Sequence, residues 1–135
     1  MNAFRTVSVY LLTLVTFLAL DAVWLGVVAR DLYRRELGHL LAPTVRWGAA
    51  GVFYLLYVAV VLVLVVMPNR DAPLVRVAAL GALFGLCAYA TYDLTNLATL
   101  RDWPLRVTLV DLAWGACLTA LTAVAGRGFA RGLTP

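Results

Sequence analysis

Four apolar runs, each long enough to cross a bilayer, dictate what this chain can fold into. They cover about residues 6–29, 47–67, 74–100 and 105–125. A membrane-spanning helix needs about 20 residues, and lipid leaves helices or closed barrels as the only spanning forms. The last two connections, residues 68–73 and 101–104, are short polar turns. Short turns force neighbouring helices to run antiparallel. The sequence therefore predicts an all-α integral membrane protein, an up-down four-helix bundle forming a single transmembrane domain over residues 1–135. Composition agrees: 64% of residues are hydrophobic and 13% charged, whereas soluble domains approach a quarter charged. The first run differs from a cleaved signal peptide. It is long, Asp21 interrupts it, and no small-x-small cleavage site follows.

All 11 basic residues are Arg, and they lie in connections and at helix ends. Nucleic acid is excluded as a partner, because no basic stripe with interleaved aromatics lies outside the apolar runs. Arg5, Arg70, Arg76, Arg127 and Arg131 fall on one side, and Arg30, Arg34, Arg35, Arg46, Arg101 and Arg106 on the other. Five against six gives the positive-inside rule no purchase. Such balance is also what a dual-topology antiparallel homodimer shows. Gly81 and Gly85, with Ala78 and Ala88 nearby, form a small-residue stripe for close helix approach, within the bundle by default or in a dimer. Cys87 and Cys117 fall in apolar runs and read as small packing residues.

The first connection carries Tyr33, Leu37, Leu40 and Leu41 at helical spacing, with Arg34, Arg35 and Glu36 off the stripe. It predicts a short interfacial amphipathic helix between the first two spans, ended before Pro43. In the last connection Asp102 is expected to cap the fourth span, and Pro104 to sit in its first turn. After Gly126 a short basic tail is expected.

One phrase recurs on three of the four spans: an aspartate followed three residues later by Trp or Asn. The copies are Asp21 with Trp24, Asp93 with Asn96, and Asp111 with Trp114. An Asp at the centre of a membrane helix costs roughly 2.5–3.5 kcal/mol. At 1.5 Å rise per residue, Asp21 lies roughly 12 Å before the end of its span. Asp93 lies roughly 10 Å before its own, and Asp111 roughly 10 Å after its start. Alternating helix direction puts all three at one depth from one membrane face, and Tyr54 reaches the same level. Tyr89, Asp93 and Asn96 share a helix stripe, as do Asp111 and Trp114, and Asp21 and Trp24. Turned inward, these eight residues form a proposed ligand-binding cup: Asp21, Trp24, Tyr54, Tyr89, Asp93, Asn96, Asp111 and Trp114.

Carboxyl groups gathered in low dielectric cannot all ionise, which suits acid/base work or capture of a cation or amine. Against this stands the plainer reading that each aspartate caps backbone or pairs with Arg101 or Arg106, and that Trp24 and Trp103 are belt residues. His39 is the only histidine, which excludes multi-histidine iron and bis-histidine haem sites, though that helix could lid the cup. A carboxylate-only site would suit hard cations, but no metal and no cofactor is assigned. Ser8, the only serine, lies at the opposite end of the first span, so no nucleophile stands beside His39.

The runs Tyr92-Asp93-Leu94-Thr95-Asn96 and Asp111-Leu112-Ala113-Trp114-Gly115, with Trp103-Pro104, Asp21, Trp24, Tyr33 and Tyr54, carry a resemblance. The chain resembles a family of small bacterial four-helix membrane proteins catalogued as a domain of unknown function. The resemblance implies four membrane helices and a bacterial origin, and it carries over no known activity; the expected location is the bacterial inner membrane. The residues themselves favour an intramembrane carboxylate-lined site that binds or transforms a small or lipid-derived ligand, with the bilayer as the constant partner. The alternatives are a small dimeric ion- or proton-coupled transporter and a structural accessory subunit; whether the protein is an enzyme stays open.

Overall fold

A computed structural model describes residues 2–133. Among these, every regular element is helical. Helix α1 spans Ala3–Val23 and continues through a wider π-helical turn, Trp24–Val28. The short α2 covers Arg30–Leu37. Helix α3, Trp47–Val61, runs on through a π-helical turn, Leu62–Val66, and a tight 3₁₀ turn, Met67–Asn69. Helix α4 spans Leu74–Thr99 and α5 spans Leu105–Gly132. The four long stretches are apolar and long enough to cross a membrane. Their outward residues, among them Val7, Val15, Val52, Leu64, Val75 and Leu109, are exposed large apolar side chains. Lipid accepts such a surface, and water would not.

The buried faces follow a four-residue rhythm. On α1 the buried residues are Val9, Thr13, Phe17 and Asp21, and on α4 they are Val77, Gly81, Gly85 and Asp93. The α5 face includes Asp111, Gly115, Leu118, Thr119, Thr122 and Gly126. Rows at this spacing form ridges that seat in the grooves of a neighbouring helix. Each aspartate falls on such a row (Asp93 one step beyond Tyr89), so packing the row inward buries its carboxylate.

The tightest seam joins α4 to α5. A methyl placed on Gly85 would strike the Gly115 carbonyl and the Thr119 side chain. One on Gly81 would come within 2.9 Å of Ala123 and of the Thr119 carbonyl, and one on Gly115 would run into the Tyr89 ring. The small-residue stripe on α4 is thus spent inside the chain, and a second copy cannot use it for close approach. Hydroxyls in this apolar setting bond back to their own helix: Thr13 to Val9, Thr91 to Cys87 and Thr122 to Leu118. That satisfies donors which lipid would leave bare.

Three local expectations need correction. Asp102 does not cap α5: it adopts a left-handed backbone with φ 62°, and no side chain caps that helix. Asp tolerates this conformation better than most residues. Pro104 sits just before α5 and lends its carbonyl to the Thr108 N–H at 3.2 Å. Nor does a separate tail follow Gly126, because α5 continues to Gly132. The buried Arg127 explains the continuation: its guanidinium donates to the Ala72 carbonyl at 2.6 Å and ties α5 to the α3–α4 turn. Finally, α2 ends at Leu37, and the predicted stripe divides there. Leu37 is buried with Trp103 and Val107 while Tyr33 packs beside them, but Leu40 and Leu41 are exposed. Trp103 is thus an anchor for α2 rather than a belt residue.

The seam makes a quantitative expectation. Gly85→Ala should destabilise the protein by about 1–3 kcal/mol through overpacking, read as a lowered unfolding temperature in detergent. Gly51→Ala, where an added methyl meets nothing within 4 Å, should leave that temperature unchanged or raise it.

Candidate functional site

The end of the bundle where α1 stops and α5 starts contains a cavity of about 690 Å³, beneath α2 and between α1, α4 and α5. Asp21, Trp24, Tyr89, Asp111 and Trp114 line it, together with Arg30, Tyr33 and Arg34. A second cavity of about 440 Å³ opens between α3 and α4, lined by Phe53, Tyr57, Ala88, Tyr89, Tyr92 and Asp111. Tyr89, Tyr92 and Asp111 are common to both. Both volumes are in the range of small-molecule pockets.

Each carboxylate on the floor is held by neutral donors. Asp21 accepts from the Tyr54 hydroxyl at 2.7 Å and from the Trp114 indole N–H at 3.2 Å. Asp111 accepts from the Tyr33 hydroxyl, and the Tyr33 oxygen in turn accepts from the Trp24 indole N–H at 2.9 Å. The indoles of Trp24 and Trp114 stack, with centroids 4.4 Å apart and planes at 5°. Two hydrogen-bonded chains, Tyr54–Asp21–Trp114 and Trp24–Tyr33–Asp111, are thus joined by the indole stack. The π-helical turn that carries Trp24 departs from α-helical register, and such turns recur at functional sites.

Asp93 is placed differently. It is fully buried, lines neither cavity, and no N–H or hydroxyl donor among the described residues reaches either of its oxygens. Its neighbour is the Asp111 carboxyl on the adjoining helix. Two carboxyl groups meeting without a donor are reconciled by a proton held between them. Asn96 also stays off both cavity walls and interacts with the Tyr92 hydroxyl one turn away. Tyr54 touches the site through Asp21 and does not line the main cavity. Neither Arg101 nor Arg106 forms an ion pair with these aspartates among the described residues. Likewise, no group of three His, Cys, Asp or Glu among them is close enough to hold a metal ion. His39 is exposed and lies off the cavity wall.

Tyr33 is the cavity-lining residue that sequence reasoning left outside the candidate site. Its position on the stripe shared with Leu37 was the available signal, because that stripe docks α2 against the bundle. Burial, followed by its bond to Asp111, raises the phenol above its ordinary pKa of 10. A group raised in the folded state contributes stability in full below pH 10, and that contribution falls as the pH climbs from there. Tyr33→Phe should cost about 1–3 kcal/mol, since it strands a buried acceptor and an indole donor. It should also flatten the alkaline loss of stability, measured by unfolding from pH 8 to 12. Asp93→Asn should behave oppositely, holding or raising the unfolding temperature, because an amide N–H₂ gives this buried, donor-less position a donor of its own toward Asp111.

Compared with known proteins, residues 6–127 match the family model described as "Predicted membrane protein (DUF2177)". No curated protein and no solved structure matches the chain. The matched stretch reaches into all four long helices, leaving out only the start of α1 and the end of α5, and takes in α2 and every residue of the cavity floor. The chain belongs to the DUF2177 family of membrane proteins, whose function is unknown.

Proposed function

We propose that this protein is an intramembrane binding module for a lipid-derived molecule, resident in a bacterial inner membrane. The observation that carries the reading is the floor of the larger cavity. There, Asp21 and Asp111 are fixed by tyrosine and indole donors, and no Arg among the described residues forms an ion pair with either. Buried carboxylates without a countercharge are costly, so they persist where a ligand uses them. In this reading Asp111 and Asp21 contact the ligand, and Trp24, Trp114 and Tyr89 form its walls. Tyr54 and Tyr33 orient the carboxylates, Asp93 sets the protonation of Asp111 from behind, and Asn96 steadies Tyr92.

Several features support a lipid-derived ligand over a freely soluble one. The site lies within the apolar stretch, most of its lining is aromatic or aliphatic, and the second cavity extends it between α3 and α4. The dimeric-transporter alternative loses one of its three supports, since Gly81 and Gly85 are occupied by α5.

Native mass spectrometry of protein released gently from its own membrane tests the proposal. The expected result is a defined extra mass on the wild-type chain that Asp111→Asn and Asp21→Asn lose while remaining folded. A chain that carries no extra mass, or the same mass in all three proteins, would sink it.

A further inference from the structure

The larger cavity is polarised. Its floor holds Asp21 and Asp111, with the donor-less Asp93 directly behind Asp111. Its mouth holds Arg30 and Arg34, both exposed and successive on one face of α2. Neither arginine is ion-paired among the described residues. Acidic and basic groups thus face one volume without meeting each other.

This arrangement discriminates among headgroups. A purely cationic amphiphile would pass two guanidinium groups to reach the floor. A purely anionic one would rest above three buried acids. A head that carries both charges satisfies both ends, and the order of charges sets its direction. A primary ammonium offers three donors to carboxylate oxygens, and the faces of Trp24, Trp114 and Tyr89 around it favour a cation. Guanidinium forks match phosphate oxygens in pairs.

The route for hydrocarbon is equally defined. Helix α3 packs on α1 and meets α4 mainly through the Tyr57–Phe84 ring contact, whereas the backbone of α4 is approached by the later π-helical turn Leu62–Val66. The two helices therefore part toward the α2 end, where the second cavity lies. Its lining is apolar apart from tyrosine hydroxyls and Asp111, and its lip residues Phe53 and Tyr92 are 45% and 56% exposed.

Resting on the proposed binding function, we infer that the occupant is a zwitterionic amphiphile of the phosphoethanolamine type. Its ammonium sits on Asp111 and Asp21, its phosphate lies at Arg30 and Arg34, and from the phosphate its chain passes over Tyr92, which lines both cavities, into the crevice between α3 and α4.

Three probes with the same dodecyl chain separate the terms: dodecylphosphoethanolamine, dodecyl phosphate and dodecylamine. Each is titrated into the purified chain in a maltoside detergent and followed by tryptophan fluorescence. The zwitterion should bind about tenfold tighter than either single-charge probe, the value of one charge-assisted hydrogen bond. Asp111→Asn should erase its advantage over dodecyl phosphate. The double variant Arg30→Gln, Arg34→Gln, on exposed positions that folding does not need, should erase its advantage over dodecylamine. Ala88→Phe, which fills the crevice, should weaken all three probes alike. Equal binding of the three, or preference for a single-charge probe, overturns the headgroup assignment and leaves the amphiphile site standing. Binding of none overturns the proposed function as well.

Discussion

Everything at the cavity depends on how closely α4 and α5 approach. With no side chain at Gly85 or Gly115, the Gly115 carbonyl comes so near Gly85 that a single methyl there has no room. Without a hydrophobic force between helices in lipid, such contact is what dispersion and packing can reward. The same approach lays the Tyr89 ring over Gly115 and sets the Asp93 carboxyl against Asp111. Separating the two backbones by one side chain would move both walls of the larger cavity and break the carboxyl pair. The seam is therefore both the structural core and the frame of the polar floor.

The rest of the floor follows from the bilayer as solvent. An ionised group there must find donors from the chain itself. Asp21 finds a phenol from α3 and an indole from α5, so one side chain links three helices. Asp111 finds its phenol on α2, which lies outside the spanning stretches. That bond gives α2 a reason to dock beyond the small apolar cluster of Leu37, Trp103 and Val107. Polar satisfaction and tertiary structure are the same event here.

Much of this was legible before any coordinates. Run lengths located the four spans, and helical rise brought Asp93 level with Asp111, and Asp21 level with Trp114, pairs that are in contact, because both depend only on backbone geometry. What depends on side-chain competition was not legible. Periodicity put Tyr33 on a buried stripe but could not say that its hydroxyl would reach Asp111 in preference to solvent. The extension of α5 past Gly126 was hidden because Arg127 looks like a tail residue until its carbonyl partner in the α3–α4 turn is seen. Depth likewise could not separate Asp93 from Asp111. Both lie on inward rows, yet the close seam turns Asp93 into the wall and leaves Asp111 facing the cavity.

That division gives the two aspartates different surroundings. Among the described residues Asp111 is the only acid lining both cavities, so the volumes beneath α2 and between α3 and α4 share one carboxyl. Behind it stands Asp93, buried and without a donor, on the adjoining helix. Asp21 instead has two neutral donors, a phenol and an indole, from two other helices. The floor therefore combines a carboxyl group held by donors with one set against a second acid, and the latter stands where the two openings join. Both arrangements follow from the seam and the inward rows, because neither carboxyl could reach its neighbours unless the helices approached this closely.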